Sequence, residues 1–597
     1  MATVARTNSS TQPGASGPRT LSAGDTIDID GVTYMHPMCV NIWVDDVKAW
    51  PSVSSAHIVC YLIRSKACDL KEAEAYKSLD SYNFVQSGWV GQVLCHNVNK
   101  DVVYLKADVR PSQAINQKPW TAWACVRHTG QVKSVDLVSA YIRRIREVQP
   151  IINAVVEERF EEALEDAKEV DRLVASGNMS ASQMSKKKPL LGLPFTAKNS
   201  IAIKGLRQDA GSLFWRGRRA VEDAPSVALL RAAGAIPLAL TNVPEMCMWG
   251  DSQNLVDGCT RNPHDTRRSP GGSSGGEGSL LAAAGSLIGL GTDIAGSLRI
   301  PAAYCGVFSH KPTAGVVPNT GLLPDVGENL EQFNCVGPMA KFSEDLPLML
   351  SVLAESATSG LRLNEKVNLK TLKLYYMDTE GSLYISRVTT EARRAVRRVT
   401  QYLRGAHGLE AHRLHLPEMR FGTLMWFKVT GVKEPKPLSE IFRLGGFNTL
   451  VELLRHLVGA GRHSLAALAA SSMAPLFRFR SKQTAADYMT SFDIARDRFE
   501  ETLGDNGVLV LPAATSAAPF QNQDLLFLDS LGMTALFSLF KVPVTVCPVM
   551  WSSERLPLCV QVVAKRGNDR LCLAVAREIE NRFGGWLDPS AKQPGGA

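Results

Sequence analysis

The chain has no uninterrupted run of about 18 apolar residues, so a membrane-spanning helix is not expected. Its first twenty residues, MATVARTNSSTQPGASGPRT, hold no apolar stretch. They read as a disordered leader (residues 1–24) and not as a signal peptide, which argues for an intracellular, cytoplasmic protein that is not secreted. The formal net charge is +8 over 597 residues, yet no block of basic residues concentrates it, and nucleic-acid binding is not expected. Twelve cysteines include no C-x-x-C pair and no His/Cys ligand spacing. They read as reduced core thiols, with no metal site and no cofactor expected. What remains is ordinary: 45% hydrophobic and 21% charged residues, in a chain long enough for one very large domain or several.

Three segments carry chemistry: LPFTAKN with Lys198, GGSSGGEG (Gly271 to Gly278) with Ser273, and GTDIAGSLR (Gly291 to Arg299) with Ser297. A serine hydroxyl is a weak nucleophile and needs a base within reach. Lysine can be that base only when neutral, which burial and a scarcity of acids favour. The residues Leu191 to Ala197 before Lys198 contain no acid and Asn199 after it is neutral, although an ordinary lysine at a strand end would look the same. The small residues before Ser297 let backbone N–H groups converge as an oxyanion hole requires, and Asp293 and Arg299 suit a role in supporting the loop. Nucleotide readings fail on residue type. Glu277 stands where a P-loop needs lysine, and Ile294 stands where a dinucleotide fingerprint needs glycine. Another Ser-x-x-Lys pair, Ser185 and Lys188, lies in the polar run SQMSKKKP, expected to be a solvated loop.

The three motifs, their order, and the flanking phrases INAVVEERFEEAL, IPAAYCGVFSHKPTAGVVPNTG, CVGPMA and LPLCVQVVA resemble the amidase signature family, and within it the fatty-acid amide hydrolases. The resemblance runs over residues 134–597. It implies an α/β amidase-signature fold: one large mixed, twisted sheet with helices on both faces. It also implies a Ser–Ser–Lys triad with Ser297 as acyl-accepting nucleophile, Ser273 as proton relay after a cis Gly272–Ser273 bond, and Lys198 as general base. The amides of Ile294, Ala295, Gly296 and Ser297 would form the oxyanion hole. Gly272, Ser274, Asp293 and Arg299 would support the loops. Two positions depart from the family pattern. Ala295 stands where glycine is common, which is tolerable only at negative φ, and Asn199 replaces a frequent acid.

Residues 25–133 are of another kind. Val102 to Arg110 and Ala122 to Val132 read as short strands of a small N-terminal α+β appendage, the second with a turn at Thr129-Gly130. The segment is similar to the one preceding a SWIM-type zinc finger in transposon-associated proteins with YqaJ-like nuclease domains. The zinc ligands that should follow are absent. The chain passes instead to VDLVSAYIRR, which suggests a fusion whose first part is non-catalytic. From Ser134, a plausible N-cap, Val135, Val138, Ile142 and Ile145 share one helical face. Phe160, Ala163, Ala167, Val170 and Val174 stripe the next helix. Short apolar strands then alternate with helices: 236–241, 287–290, 508–511, 544–547 and 558–563, closing with a helix over 569–583 that ends at Gly584-Gly585.

Residues 440–480 interleave Leu, Val and Phe with Arg443, Arg455 and Arg462, a pattern that suits helices lying on a membrane, roofing a lipid channel, or packing on the protein's own core. Met246 and Met248 are adaptable apolar candidates for a substrate pocket. The leading expectation is a serine amidase acting on apolar, lipid-like acyl amides, with peripheral membrane contact through 440–480. The alternatives are another amidase-signature specificity, glutamine amidotransfer included, an inactive fusion, or a nucleic-acid-associated protein acting through residues 25–133.

Overall fold

The structure is a computed structural model. It describes residues 133–589 except 356–357, 379–386, 434–447, 474–481 and 524–528, together with five strands between residues 26 and 127. The contacts divide the chain into two units, Met1–Lys133 with Ala591–Ala597, and Ser134–Ser590. In the first, Thr26–Ile29 pairs antiparallel with Val32–Met35, and Leu94–Asn99, Val102–Val109 and Trp120–Arg127 form an antiparallel three-stranded sheet. The last of these begins two residues before the expected Ala122. The leader 1–24 and the turn at 129–130 lie outside the described residues.

The second unit opens with helix α1 (Ser134–Ile152), which buries Val138, Ile142, Ile145 and Ile152 against α2 (Phe160–Ala175). Ser134 is not a cap. Its hydroxyl donates to the Gly192 carbonyl at 2.9 Å, and its backbone N–H donates to Asp171, which ties the helix start to the chain entering the strand that carries Lys198. SQMSKKKP is not a loop either. Ser180 and Gln183 make a reciprocal capping box that starts α3 (Ala181–Lys187), a signal that the polar composition obscured.

Eleven strands follow one another in the chain as β1 (Val155–Glu158), β2 (Pro194–Lys198), β3 (Ile236–Thr241), β4 (Ile288–Asp293), β5 (Phe308–Lys311), β6 (Cys335–Ala340), β7 (Lys373–Tyr376), β8 (Ala411–Arg413), β9 (Gly507–Pro512), β10 (Val544–Trp551) and β11 (Pro557–Ala564). They form one mixed sheet in the order β8-β7-β9-β11-β10-β5-β6-β4-β2-β3-β1. The central strands are buried on both sides and read as unbroken apolar runs, because helices cover both faces. The helices that matter below are α4 (Gly275–Ala282), α5 (Arg299–Cys305), α6 (Gly422–Lys433), α7 (Thr449–Leu457), α8 (Leu465–Met473), α9 (Ala535–Leu539) and α10 (Asp569–Phe583). α10 ends at Gly584 in the left-handed conformation, φ 88°.

The strand order positions the site. β3, β2 and β4 lie side by side and parallel, so Thr241, Lys198 and Asp293 end at one edge of the sheet. Open α/β sheets bind ligands outside the carboxyl ends of their parallel strands. β4 then pairs antiparallel with β6, where Gly291 faces Gly337. A Cβ at Gly337 would collide with the backbone oxygen of His310 in β5. Gly337→Ala is therefore expected to cost about 1–3 kcal/mol by overpacking, read as a lower thermal unfolding midpoint.

Candidate active site

Lys198 ends β2 with no exposed surface, its stem enclosed by the sheet. Its Nζ lies 2.6 Å from Ser273 Oγ and 2.7 Å from Thr292 Oγ1. Burial pushes the amine below the ordinary lysine range, against the opposing pull of the Cys247 thiol beside it and of Asp293. Asn199, the neighbour without charge, is occupied elsewhere, donating to Asp209 at 3.0 Å.

Ser273 enters on a tight loop whose Gly272–Ser273 bond is cis. A Cβ at Gly272 would stand 2.6 Å from the Trp249 carbonyl oxygen, so glycine is required for the loop to lie this close to the 249–251 backbone. Ser252 pins the loop from below, donating to the Gly271 carbonyl and accepting from Gly275 N–H, each at 3.0 Å. Ser274 N–H donates to the Ser297 carbonyl at 3.2 Å, which joins this loop to the next.

The second loop leaves β4 and turns into α5. Asp293 and Arg299 flank it, both without exposed surface, in a two-point ion pair: Nε to Oδ2 and Nη2 to Oδ1, each 2.9 Å. Arg299 also donates to the Thr534 carbonyl and to Ser538 Oγ, both at 2.7 Å. Burial alone would raise the Asp293 carboxyl, but Arg299, together with Lys311 and the Leu298 N–H, holds the group below the usual carboxylate value. Removing one partner of such a pair costs about 3–5 kcal/mol, because the other stays buried and uncompensated.

Asp293 Oδ1 accepts the Gly296 N–H at 2.7 Å. Of the four amides expected to form an oxyanion hole, that of Gly296 thus already has an acceptor. The N–H groups of Ile294, Ala295 and Ser297 have no protein acceptor among the described residues. Ala295 avoids positive φ, so its methyl group is accommodated. Ser297 is half-buried, and its hydroxyl makes no hydrogen bond to Ser273 or Lys198 in this structure. Among the described residues there is no cluster of His, Cys, Asp or Glu able to hold a metal ion.

Met246 is buried beside Ala210, Leu323, Trp215 and Met248, as part of a small apolar cluster, while Met248 is half-buried. The sequence reading missed Thr292, Cys247, Thr534 and Ser538. Thr292 sits inside the GTDIAGS motif and Cys247 between the two methionines already singled out, whereas Thr534 and Ser538 come from a segment that carries no signal of its own.

This site, on the carboxyl edge of an eleven-stranded mixed sheet, belongs to the amidase-signature class of α/β enzymes. A family model described as Amidase matches residues 136–573, and the chain belongs to that family. It is 38% identical over 467 residues to fatty-acid amide hydrolase 2-A of Danio rerio, covering 77% of this chain and 87% of the relative. It is 37% identical to fatty-acid amide hydrolase 2 of Homo sapiens, covering 77% and 88%. Among solved structures, one described simply as an amidase shares the fold with a TM-score of 0.61 at 24% identity, covering 76% of this chain and 98% of that one.

Behind the lysine strand, Glu277 is fully buried and accepts from Thr196 Oγ1 at 2.7 Å and Thr241 Oγ1 at 2.9 Å. Burial lifts its carboxyl to about 8 from an ordinary 4.5. The folded state therefore keeps a proton that the unfolded chain releases. The stability this contributes is full below the unfolded value and is lost as pH rises through about 8. Glu277→Gln is expected to flatten the dependence of the denaturation midpoint on pH between about 5 and 8.

Proposed function

We propose that the protein is a serine amidase that hydrolyses apolar acyl amides through Lys198, Ser273 and Ser297. The observation that carries this reading is the fully buried Lys198 amine, 2.6 Å from a hydroxyl on the loop joined to that of Ser297. A neutral amine has N–H donors and one lone pair. If Thr292 Oγ1 accepts an N–H, the lone pair is free for the Ser273 proton. Ser273 then takes the proton of Ser297 as Ser297 Oγ attacks the amide carbonyl. The developing oxyanion is received by the Ile294, Ala295 and Ser297 amides. The protons return to the leaving amine, and water releases the acid from the acyl-enzyme. Similarity to fatty-acid amide hydrolases over three quarters of the chain supports an apolar acyl group.

The pair α7–α8 supports an origin of substrate in lipid. Leu450, Leu454, Leu457 and Val458 are 66%, 55%, 82% and 77% exposed, a row suited to lying in a membrane interface. The turn between the helices is tied to the site side of the molecule. Glu245 accepts from His463 Nδ1 at 2.9 Å and from Ser464 N–H at 2.6 Å. The flanking stretches 440–447 and 474–480 lie outside the described residues. Among those described, no helix is long and apolar enough to cross a membrane. We read the setting as cytoplasmic with peripheral lipid contact, and residues 25–133 as a SWIM-associated-like segment apart from catalysis.

Ser297→Ala is expected to abolish labelling by a fluorophosphonate probe, and Lys198→Ala to lower kcat/KM for a long-chain acyl amide by about a thousandfold or more. Glutaminase activity with no long-chain amide turnover would replace this substrate class with amidotransfer. Because the Lys198 amine is depressed and must be neutral to act, kcat/KM should climb with pH through its titration and fall on the acid side. The double variant Leu454→Glu/Leu457→Glu should lower co-sedimentation with zwitterionic lipid vesicles about tenfold or more, while turnover of a short, soluble amide is kept.

A further inference from the structure

The loop that would receive the oxyanion is built from consecutive peptide units, and each is held differently. In the unit joining Ala295 to Gly296, both polar groups are spent: the carbonyl accepts from Thr534 Oγ1 at 2.6 Å and the N–H goes to Asp293. In the unit joining Gly296 to Ser297, the carbonyl accepts from the backbone N–H groups of Arg299 and Ile300, at 2.9 and 2.8 Å, as the start of α5. The unit joining Ile294 to Ala295 has no local partner of this kind. Its carbonyl accepts instead from the indole Nε1–H of Trp426, 132 residues along the chain, at 3.2 Å.

We propose that Trp426 is a positioning residue of the oxyanion loop, its indole N–H orienting and polarising the peptide whose own N–H, that of Ala295, is left to meet the substrate oxygen. This rests on the reading of Ser297 as nucleophile. A carbonyl and the N–H of the next residue share one planar, polarisable amide, so a donor on the oxygen fixes the plane and strengthens the N–H as a donor. Preorganised donors of this sort need not reorient as charge develops.

The mount is rigid enough for the task. Trp426 lies on α6, whose neighbouring Met425 and Val429 are buried in the main core. At the start of α6, a Cβ on Gly422 would stand 3.6 Å from Leu536 Cβ in α9. Thr534, immediately before α9, holds the next carbonyl of the same loop. Two successive loop carbonyls are thus gripped by elements packed on each other. Trp426 is itself half-buried, with Phe427 against it edge to face at 5.2 Å.

Trp426→Phe keeps an aromatic ring and removes the donor. The expected result is a fall of about tenfold in kcat with KM within about twofold, smaller than loss of a direct oxyanion donor. The affinity of a trifluoromethyl ketone that mimics the tetrahedral species should fall by the same factor as kcat/KM. The loss should be equal for short and long acyl amides, and the acid limb of the pH profile should not move, because Lys198 is untouched. A residue that merely lined an acyl channel would instead raise KM for long chains alone, and that result overturns the proposal. So does unchanged kcat in a folded Trp426→Phe protein. If that variant does not fold, benzothienylalanine at 426, which has the indole outline without its N–H, gives the same comparison. Full activity in Trp426→Phe alongside an inactive Ser297→Ala sinks this proposal alone, whereas an active Ser297→Ala removes the reading beneath it.

Discussion

Everything at this site depends on a lysine amine kept out of water. An ammonium group would ordinarily hold its proton far above neutral pH. Enclosure by β2, β3 and β4 takes away the solvation that favours the charged form. Two hydroxyls, on Ser273 and Thr292, stand where acids would otherwise restore the charge. The Cys247 thiol and the Asp293 carboxylate pull the other way, and burial prevails over both. Asp293 is itself bound at two points by Arg299. The ion pair holds the second loop in shape, through the Gly296 and Leu298 amides that Asp293 accepts.

The same economy governs the second loop. Asp293 takes the Gly296 amide, Thr534 takes the Ala295 carbonyl, and Trp426 takes that of Ile294. What is left over, the N–H groups of Ile294, Ala295 and Ser297, is the polarity the site presents. An anion-binding loop is defined as much by which of its groups are already satisfied as by which are free. Polar groups away from water are costly unless paired, and it is on these amides that the proposed oxyanion reading rests.

Much of the fold was legible from local pattern. The apolar runs at 236–241 and 544–547 lie within strands, and the stripes on residues 135–145 and 160–170 face a core, because period and burial leave few alternatives; Val174, at the end of the second stripe, is only half-buried. SQMSKKKP misled, since its polarity masked a capping box that needs only Ser180 and Gln183. Ser134 misled for the opposite reason. A residue of the right type at a helix start was recruited by a partner 58 residues away in the chain. The motif residues Lys198, Ser273 and Ser297 could be singled out on chemistry, with their family resemblance as guide. Trp426, Thr534 and Ser538 could not, because an isolated tryptophan or threonine in a helical stretch has no spacing to announce it.

The chain by itself determined the elements, the apolar faces and the glycines that let loops pass close to backbone, since these follow from side-chain size, polarity and period. Only the tertiary structure decided which amides of the 294–297 loop stay without a partner among the described residues. It also decided that the amine at 198 loses its water and which distant side chains brace the turn. Those properties belong to no single segment. They arise where the ends of three parallel strands, two glycine loops and helices from the far end of the chain converge, and desolvation and hydrogen-bond partnership are settled there by neighbours in space.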